Sequence, residues 1–435
     1  MYVSIGTGDD ANPGTPDAPK ATIKAGIDAA LVPAWVMVAE GIYNVEYQLP
    51  SGTHVVLVEG ISLYGGYATD WSIRDPATHA TIVTDGSASG GSFPVPNRTV
   101  EAGAAITAAT VIDGFTLNGG GGIYSSALFV SGAPTIRNNT INGGSGSTLS
   151  IGVFNAASSP AIRNNSIDGG TGGSGSNGIL NSGGSAEISG NTVNGGGSVN
   201  SSHGIKNDSS SPTISGNTIH GGSASNVSYG IINSVSSPVI RNNAVHGGGG
   251  GVDSYGIYNG SSSSPAIRNN TVNGGSGGAN AYGIYNVTPV IPSSPAVDNN
   301  IVFTTLSGAN NRYCLFESDA NSDPVSMRKN ALFECPTALY HDGDGGGDLT
   351  NIADVNDYTK TTQDIGQPSS GNISADPLFE NQAGGDWHFT VLSPASVIAG
   401  GLNGVDDGGW GFTDDKDGVT RPASGTAWAI GAYEP

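Results

Sequence analysis

Between residues 122 and 300, single aliphatic residues alternate with polar ones in short runs broken by Gly, Ser and Asn. In Ala161-Ile162-Arg163-Asn164-Asn165-Ser166-Ile167, the two isoleucines can point inward and Arg163 outward. The runs are too short for a helical stripe, and Gly, Ser and Asn are poor helix formers. We therefore expect two short β segments per unit, separated by Gly/Ser turns. Only Lys20 to Leu31 breaks this rule, with Ile23, Ile27 and Leu31 four apart, and it predicts one amphipathic helix.

The pattern repeats. A phrase of the form Ile136-Arg137-Asn138-Asn139-Thr140-Ile141 returns with its second Asn at Asn139, Asn165, Asn191, Asn217, Asn243, Asn270 and Asn300, mostly 26 residues apart. A second phrase keeps the same beat, from Gly152-Val153-Phe154-Asn155 to Gly256-Ile257-Tyr258-Asn259 and Gly283-Ile284-Tyr285-Asn286. A fixed period of this size marks a solenoid. One unit cannot bury its few aliphatic side chains alone, but units stacked ~4.8 Å apart join them into a continuous core. The recurrent Asn then meets its copies one turn above and below, as a structural ladder. The expected fold is all-β, a right-handed parallel β-helix of about 26 residues per turn and about 13–14 turns, with a short N-terminal capping helix. We divide it into 1–121, the cap and first irregular turns; 122–300, the regular array; and 301–435, the last turns and an acidic capping or anchor-like module.

Charge sharpens this division. The net charge is −21, yet residues 123–300 carry 5 acids and 5 bases, against 12 and 4 before them and 19 and 6 after them. Such a chain repels nucleic acid and anionic lipid. We expect no nucleic-acid partner and no membrane insertion. Met1-Tyr2-Val3-Ser4 lacks the basic and apolar stretches of a secretory signal, so we expect the chain to begin at the mature domain. Cys314 and Cys335 lie 21 apart, under one turn, so they stand as a disulfide on neighbouring turns or as two buried thiols.

The central phrases resemble bacterial right-handed parallel β-helix repeat proteins. Gly8-Asp9-Asp10-Ala11-Asn12-Pro13-Gly14-Thr15, and Gly60-Ile61-Ser62-Leu63-Tyr64-Gly65-Gly66-Tyr67 with Trp71-Ser72-Ile73-Arg74-Asp75, are similar to a domain-of-unknown-function segment that begins such solenoids. Ala375-Asp376-Pro377-Leu378-Phe379, Gly385-Asp386-Trp387-His388-Phe389, Arg421-Pro422 and Ile430-Gly431-Ala432-Tyr433-Glu434 resemble the choice-of-anchor-Q module of secreted and surface proteins. Two acids usual in that module are replaced, by Ala429 and by Val397-Ile398. The resemblance implies an extracellular or cell-surface location.

Candidate chemistry lies in outward columns and acidic loops. Arg137, Arg163, Arg241 and Arg268 share one column and suit the carboxylates of an acidic glycan. Asn142, Asp168, Asn194, His220, His246 and Asn273 form another, whose His pair lacks a clear third metal ligand. Tyr124, Phe154, Leu180, Lys206, Ile232, Tyr258 and Tyr285 form a third; Tyr124, Phe154, Tyr258 and Tyr285 are the candidate contacts for sugar rings or surface proteins. Asp342, Asp344 and Asp348 offer oxygen ligands among glycines, which suits Ca²⁺, and Asp406-Asp407 with Asp414-Asp415-Lys416-Asp417 forms a second acidic cluster. Catalytic candidates reduce to Arg163 and Asp168. Two classes follow: a non-catalytic solenoid that binds glycans or proteins, or a polysaccharide lyase or glycoside hydrolase acting in a groove along the helix.

Overall fold

A computed structural model of the chain describes residues 1–44, 53–85, 91–260, 262–287, 292–304, 310–357 and 369–435. It is an all-β parallel β-helix, 44% strand and 4% helix, of about 11 turns. The lower turn count has two causes. Early turns carry long loops, and the chain leaves the winding after Ile373, which still pairs in parallel with Ala331, to form a separate layer. The chain divides into two compact units, 1–204 and 205–435.

Each regular turn holds three main strands rather than two, because the Asn-Asn pair is a corner. Asn138 and Asn164 in the first unit, and Asn242, Asn269 and Asn299 in the second, adopt positive φ of 52–59°. Gly190 and Gly216 fill the same position at 66° and 67°. Only Asn and Gly visit this left-handed region cheaply, so the phrase admits Asn or Gly there. The corner separates strands such as Ala161–Arg163 and Ser166–Asp168 onto different sheets.

In the first unit the core is three aliphatic columns in parallel register. They are Ile112, Ile136, Ile162 and Ile188; Leu117, Ile141, Ile167 and Val193; and Val100, Leu128, Val153 and Ile179. All are at most 2% exposed. The helix Ile23–Ala29 is N-capped by Thr22 and buries Ile23, Gly26 and Ile27. It stops short of the expected Leu31, which is exposed; Ala30 is already extended and Pro33 follows.

The second unit repeats the three columns: Ile214, Ile240, Ile267, Val297 and Met327; Ile219, Val245, Val272, Val302 and Leu332; and Ile231, Ile257, Ile284, Leu315 and Tyr340. Cys314 and Cys335 are joined by a disulfide, with Cα atoms 5.5 Å apart. Residues 374–435 pack along the flank of this unit. Trp387, Val397, Ile430, Ala432 and Tyr433 close on Ile301, Phe303, Ala331 and Phe333. The corner asparagines dock this layer: Asn242 Nδ2 donates to the Asp414 carbonyl at 2.6 Å, Asn269 to Ala429 at 3.1 Å, and Asn299 to Leu402 at 2.8 Å. Arg421, wholly buried, bridges Asn242 Oδ1 and the Glu434 carboxylate, which ties the Arg-Pro and Ile-Gly-Ala-Tyr-Glu motifs together.

Asparagine columns stitch successive turns. In the first unit Asn139 donates to Asn165, and Asn165 to Asn191, each from backbone N and from Nδ2 at 2.9–3.1 Å. In the second unit the run continues from Asn217 through Asn243, Asn270 and Asn300. It then extends past the regular array to Asn330, Asn372 and Asn356, where the spacing changes.

Candidate functional sites

The strongest surface feature is a double row of aromatic rings in the second unit. The strands Asp253–Asn259 and Asn280–Asn286 both contain Tyr-Gly-Ile-Tyr. Gly256 and Gly283 face inward, where a Cβ would come within 2.5 Å of Val272 Cγ1 and 2.2 Å of Val302 Cγ1. The bend at Gly brings the flanking tyrosines to the same outer face. One column is Tyr229, Tyr255, Tyr282 and Tyr313, with centroids 4.9, 4.9 and 5.4 Å apart. The other is Tyr258, Tyr285, Phe316 and His341, at 5.4, 4.8 and 4.2 Å.

Within a column the rings are parallel to within 10°. Between columns they meet at 72–85°. The geometry has a simple cause. Turns rise by more than the ~3.5 Å contact distance of stacked rings, so each ring tilts by about 45° to touch the next. Two columns tilted in opposite senses then meet near a right angle, as a herringbone. Tilting leaves part of each ring open, and Tyr258, Tyr282, Tyr285, Tyr313 and Phe316 are half-buried. Burial pushes the phenols of Tyr229, Tyr255, Tyr258, Tyr282 and Tyr285 up, that of Tyr285 to about 12, so they remain neutral donors. The charge of Asp253 adds to this at Tyr229, Tyr255, Tyr282 and Tyr285.

Tyr258 and Tyr285 thus stand together as neighbours in one column, but Tyr124 and Phe154 do not join them. Phe154 is 1% exposed, packed on Phe129 and under Phe93. Tyr124 pairs in register with Leu149, and Phe129 is the partner of Phe154. Gly122-Ile123-Tyr124 mimics the repeat phrase, but Leu128 supplies the inward side chain of that turn. Three rings of the herringbone, Tyr229, Tyr255 and Tyr282, directly precede Gly and stand three positions before the expected column. The recurrence of Tyr before Gly was the available signal.

The column arginines each meet a partner within the chain. Arg137 pairs with Asp113 at 2.6 Å, and Arg163 with Glu187 at 2.5 Å. Arg241 lies over Phe412 at 4.8 Å and Arg268 over Trp410 at 4.9 Å, both covered by the flanking layer. Arg163 and Asp168 are not brought together. Asp168 accepts from Gly170 N and Asn194 Nδ2, both at 2.7 Å, and lies on a different sheet from Arg163. The acids of the second cluster serve the flanking layer: Asp407 binds Arg328, Asp406 binds Ser424 and Gly425, and Asp417 binds His388.

A cleft of about 510 Å³ opens where residues 382–387 cross the second sheet. His220, His246, Asn273, Glu334 and Trp387 line it. The two imidazole centroids are 5.6 Å apart. Burial pushes both His pKa values down, that of His246 to about 4, with the neighbouring His220 adding to the shift. His246 Nδ1 accepts from Gly248 N at 2.8 Å, which leaves its Nε2 carrying the proton.

Asp342, Asp344 and Asp348 separate. Asp342 and Asp344 gather with Glu317, their ligating oxygens within 4.8 Å of one another. Asp348 instead faces His341 across an antiparallel hairpin and accepts from its Nδ1 at 2.6 Å. Spacing alone could not see that the loop is a hairpin, whose alternation puts Asp342 inside and Asp348 outside.

No family model matches the chain, and no curated protein does. Among solved structures it is similar to the pectate lyase Pel9A, at 13% identity over all of this chain and 96% of that one, with a TM-score of 0.55. A complex of XylC with xylose matches at 11% identity, 100% and 98% coverage and a TM-score of 0.49. At these identities the likeness establishes the fold alone. No helix among the described residues is long and apolar enough to cross a membrane.

Proposed function

We propose that the chain is a non-catalytic, glycan-binding solenoid of the bacterial surface or exterior, and that the herringbone is its binding face. The observation that carries this reading is the double row of half-open rings with neutral phenols repeating once per turn. A linear glycan presents repeating apolar ring faces and hydroxyls to such a surface. The acidic rim, with Asp253, Asp319 and Asp348 beside the rings, favours neutral over acidic chains. The pairing or burial of all four column arginines supports the same preference. The resemblance of the Gly8–Thr15 and Gly60–Tyr67 motifs to a solenoid-leading segment, and of the Ala375–Phe379 and Ile430–Glu434 motifs to a choice-of-anchor-Q module, motivates the extracellular part of the proposal.

The test is retention on an array of neutral and acidic polysaccharides, wild type against Tyr258→Ala and Tyr285→Ala. Retention on neutral glycans that both substitutions abolish supports the proposal; equal retention by the variants overturns it. A second reading, a lyase or hydrolase, draws on the cleft, where neutral His246 and Glu334 converge. Release of reducing or unsaturated ends that disappears in His246→Ala and Glu334→Gln would favour it.

A further inference from the structure

The third sheet of the second unit carries its own column of inward asparagines. Asn207 donates to Asn233, Asn233 to Asn259 and Asn259 to Asn286, each Nδ2 to Oδ1 at 2.8 Å. An amide suits this role because it both donates and accepts, so each turn satisfies the next. The next member is Glu317, in register with Asn286. After it comes Asp342, since Phe316 pairs with His341 in the parallel strands. A carboxylate only accepts, so the column cannot continue through these two positions.

The break lies inside the protein. Glu317 is 0% and Asp342 1% exposed. No hydrogen bond of good geometry reaches either carboxylate oxygen of Glu317, Oδ2 of Asp342 or the wholly buried Tyr340 hydroxyl, which stands beside Glu317 and Asp323. Uncompensated carboxylates in such a place cost several kcal/mol each, at order of magnitude, unless a positive charge joins them. Gly343 lets the hairpin close over the group, since a Cβ there would meet the Ser318 backbone at 2.4 Å.

We propose that Glu317, Asp342 and Asp344 form a divalent-cation site, with Ca²⁺ as its occupant. Carboxylate oxygens within 4.8 Å of one another can be bridged by a cation that takes hard oxygen ligands at about 2.3–2.6 Å. Exposed Asp344 provides the entry side, and Tyr340 and Asp323 line the closed side. The site does not depend on glycan binding, although it immobilises the hairpin that carries His341, the last ring of the herringbone.

The experiment is calorimetric titration of the EDTA-stripped full chain with CaCl₂ and with MgCl₂, paired with melting curves in Ca²⁺ and in EDTA. Wild type takes up Ca²⁺ saturably, one ion per chain at this site, and melts higher in Ca²⁺. Asp344→Asn, an exposed change that leaves the fold intact, weakens binding by about tenfold or more. Glu317→Gln abolishes it, yet melts in EDTA no lower than wild type, because an amide restores the column. Asp348→Asn binds as wild type. Absence of saturable Ca²⁺ uptake, wild-type affinity in Asp344→Asn, loss of binding in Asp348→Asn, or tighter binding of Mg²⁺ than Ca²⁺ would each overturn the assignment. Should Glu317→Gln fail to fold, Asp344→Asn decides alone.

Discussion

Replacing Asn243 by Ala removes a fully buried amide from the middle of the second unit. Its Oδ1 accepts from Asn217 N and Nδ2, and its Nδ2 donates to the carbonyls of Ile214 and Arg241 and to Asn270 Oδ1. Two amide hydrogens serve three acceptors, so about four effective bonds are lost, near 1 kcal/mol each, for about 4 kcal/mol in all. The lost partners do not all find substitutes. The Asn217 backbone N–H loses its acceptor, whereas Asn270 Oδ1 keeps the Asn243 backbone N–H at 3.0 Å. Urea unfolding followed by circular dichroism measures the change. Because solenoid units can unfold separately, the transition should be followed also by the fluorescence of Trp387, Trp410 and Trp428, which lie in this unit. A loss of less than about 1 kcal/mol would refute the view that the amide column is a main source of stability rather than a by-product of stacking.

Three further outcomes follow. Arg421→Ala strands the Glu434 carboxylate and frees Asn242, so it should cost about 3–5 kcal/mol and expose residues 400–435 to limited proteolysis; unchanged protease resistance would contradict the lock. Reducing the Cys314–Cys335 disulfide, with its sequence separation of 21, should lower stability by about 3 kcal/mol, measured by melting with and without reductant. Partial burial disfavours charge on His388, but hydrogen bonds to Asp417 and Asp386 outweigh it and raise its pKa. Its contribution is therefore complete below the free-histidine range near ~6.5 and is lost as pH rises through the higher folded value. His388→Gln should flatten that part of the stability–pH curve, and an unchanged curve would exclude the group.

Much of the candidate chemistry was legible but incompletely resolved. Asp342 and Asp344 stand out among glycines, yet Glu317 is visible only when Cys314-Leu315-Phe316-Glu317 and Leu339-Tyr340-His341-Asp342 are read as degenerate copies of Gly-Ile-Tyr-Asn. Tyr258 and Tyr285 are evident from the period; Tyr255 and Tyr282 required knowing that Gly256 and Gly283 bend the strand. The arginine column was legible from the period but its partners were not, because periodicity says which way a side chain points and nothing about what later covers it.

The period of 26, the inward aliphatic positions and the recurring Asn together determined a parallel β-helix, since local alternation and stacking at one strand spacing leave few other ways to bury so thin a core. Register, coverage and charge pairing were decided only in three dimensions. Phe129 rather than Tyr124 fills its column because Leu128 packs inward. Trp410 and Phe412 close over Arg268 and Arg241 from more than 140 residues away in sequence. Glu317 meets Asp342 because successive turns are adjacent in space although 25 residues separate them along the chain. Such contacts depend on where turns of unequal length place their side chains, and that geometry exists only once the turns have stacked.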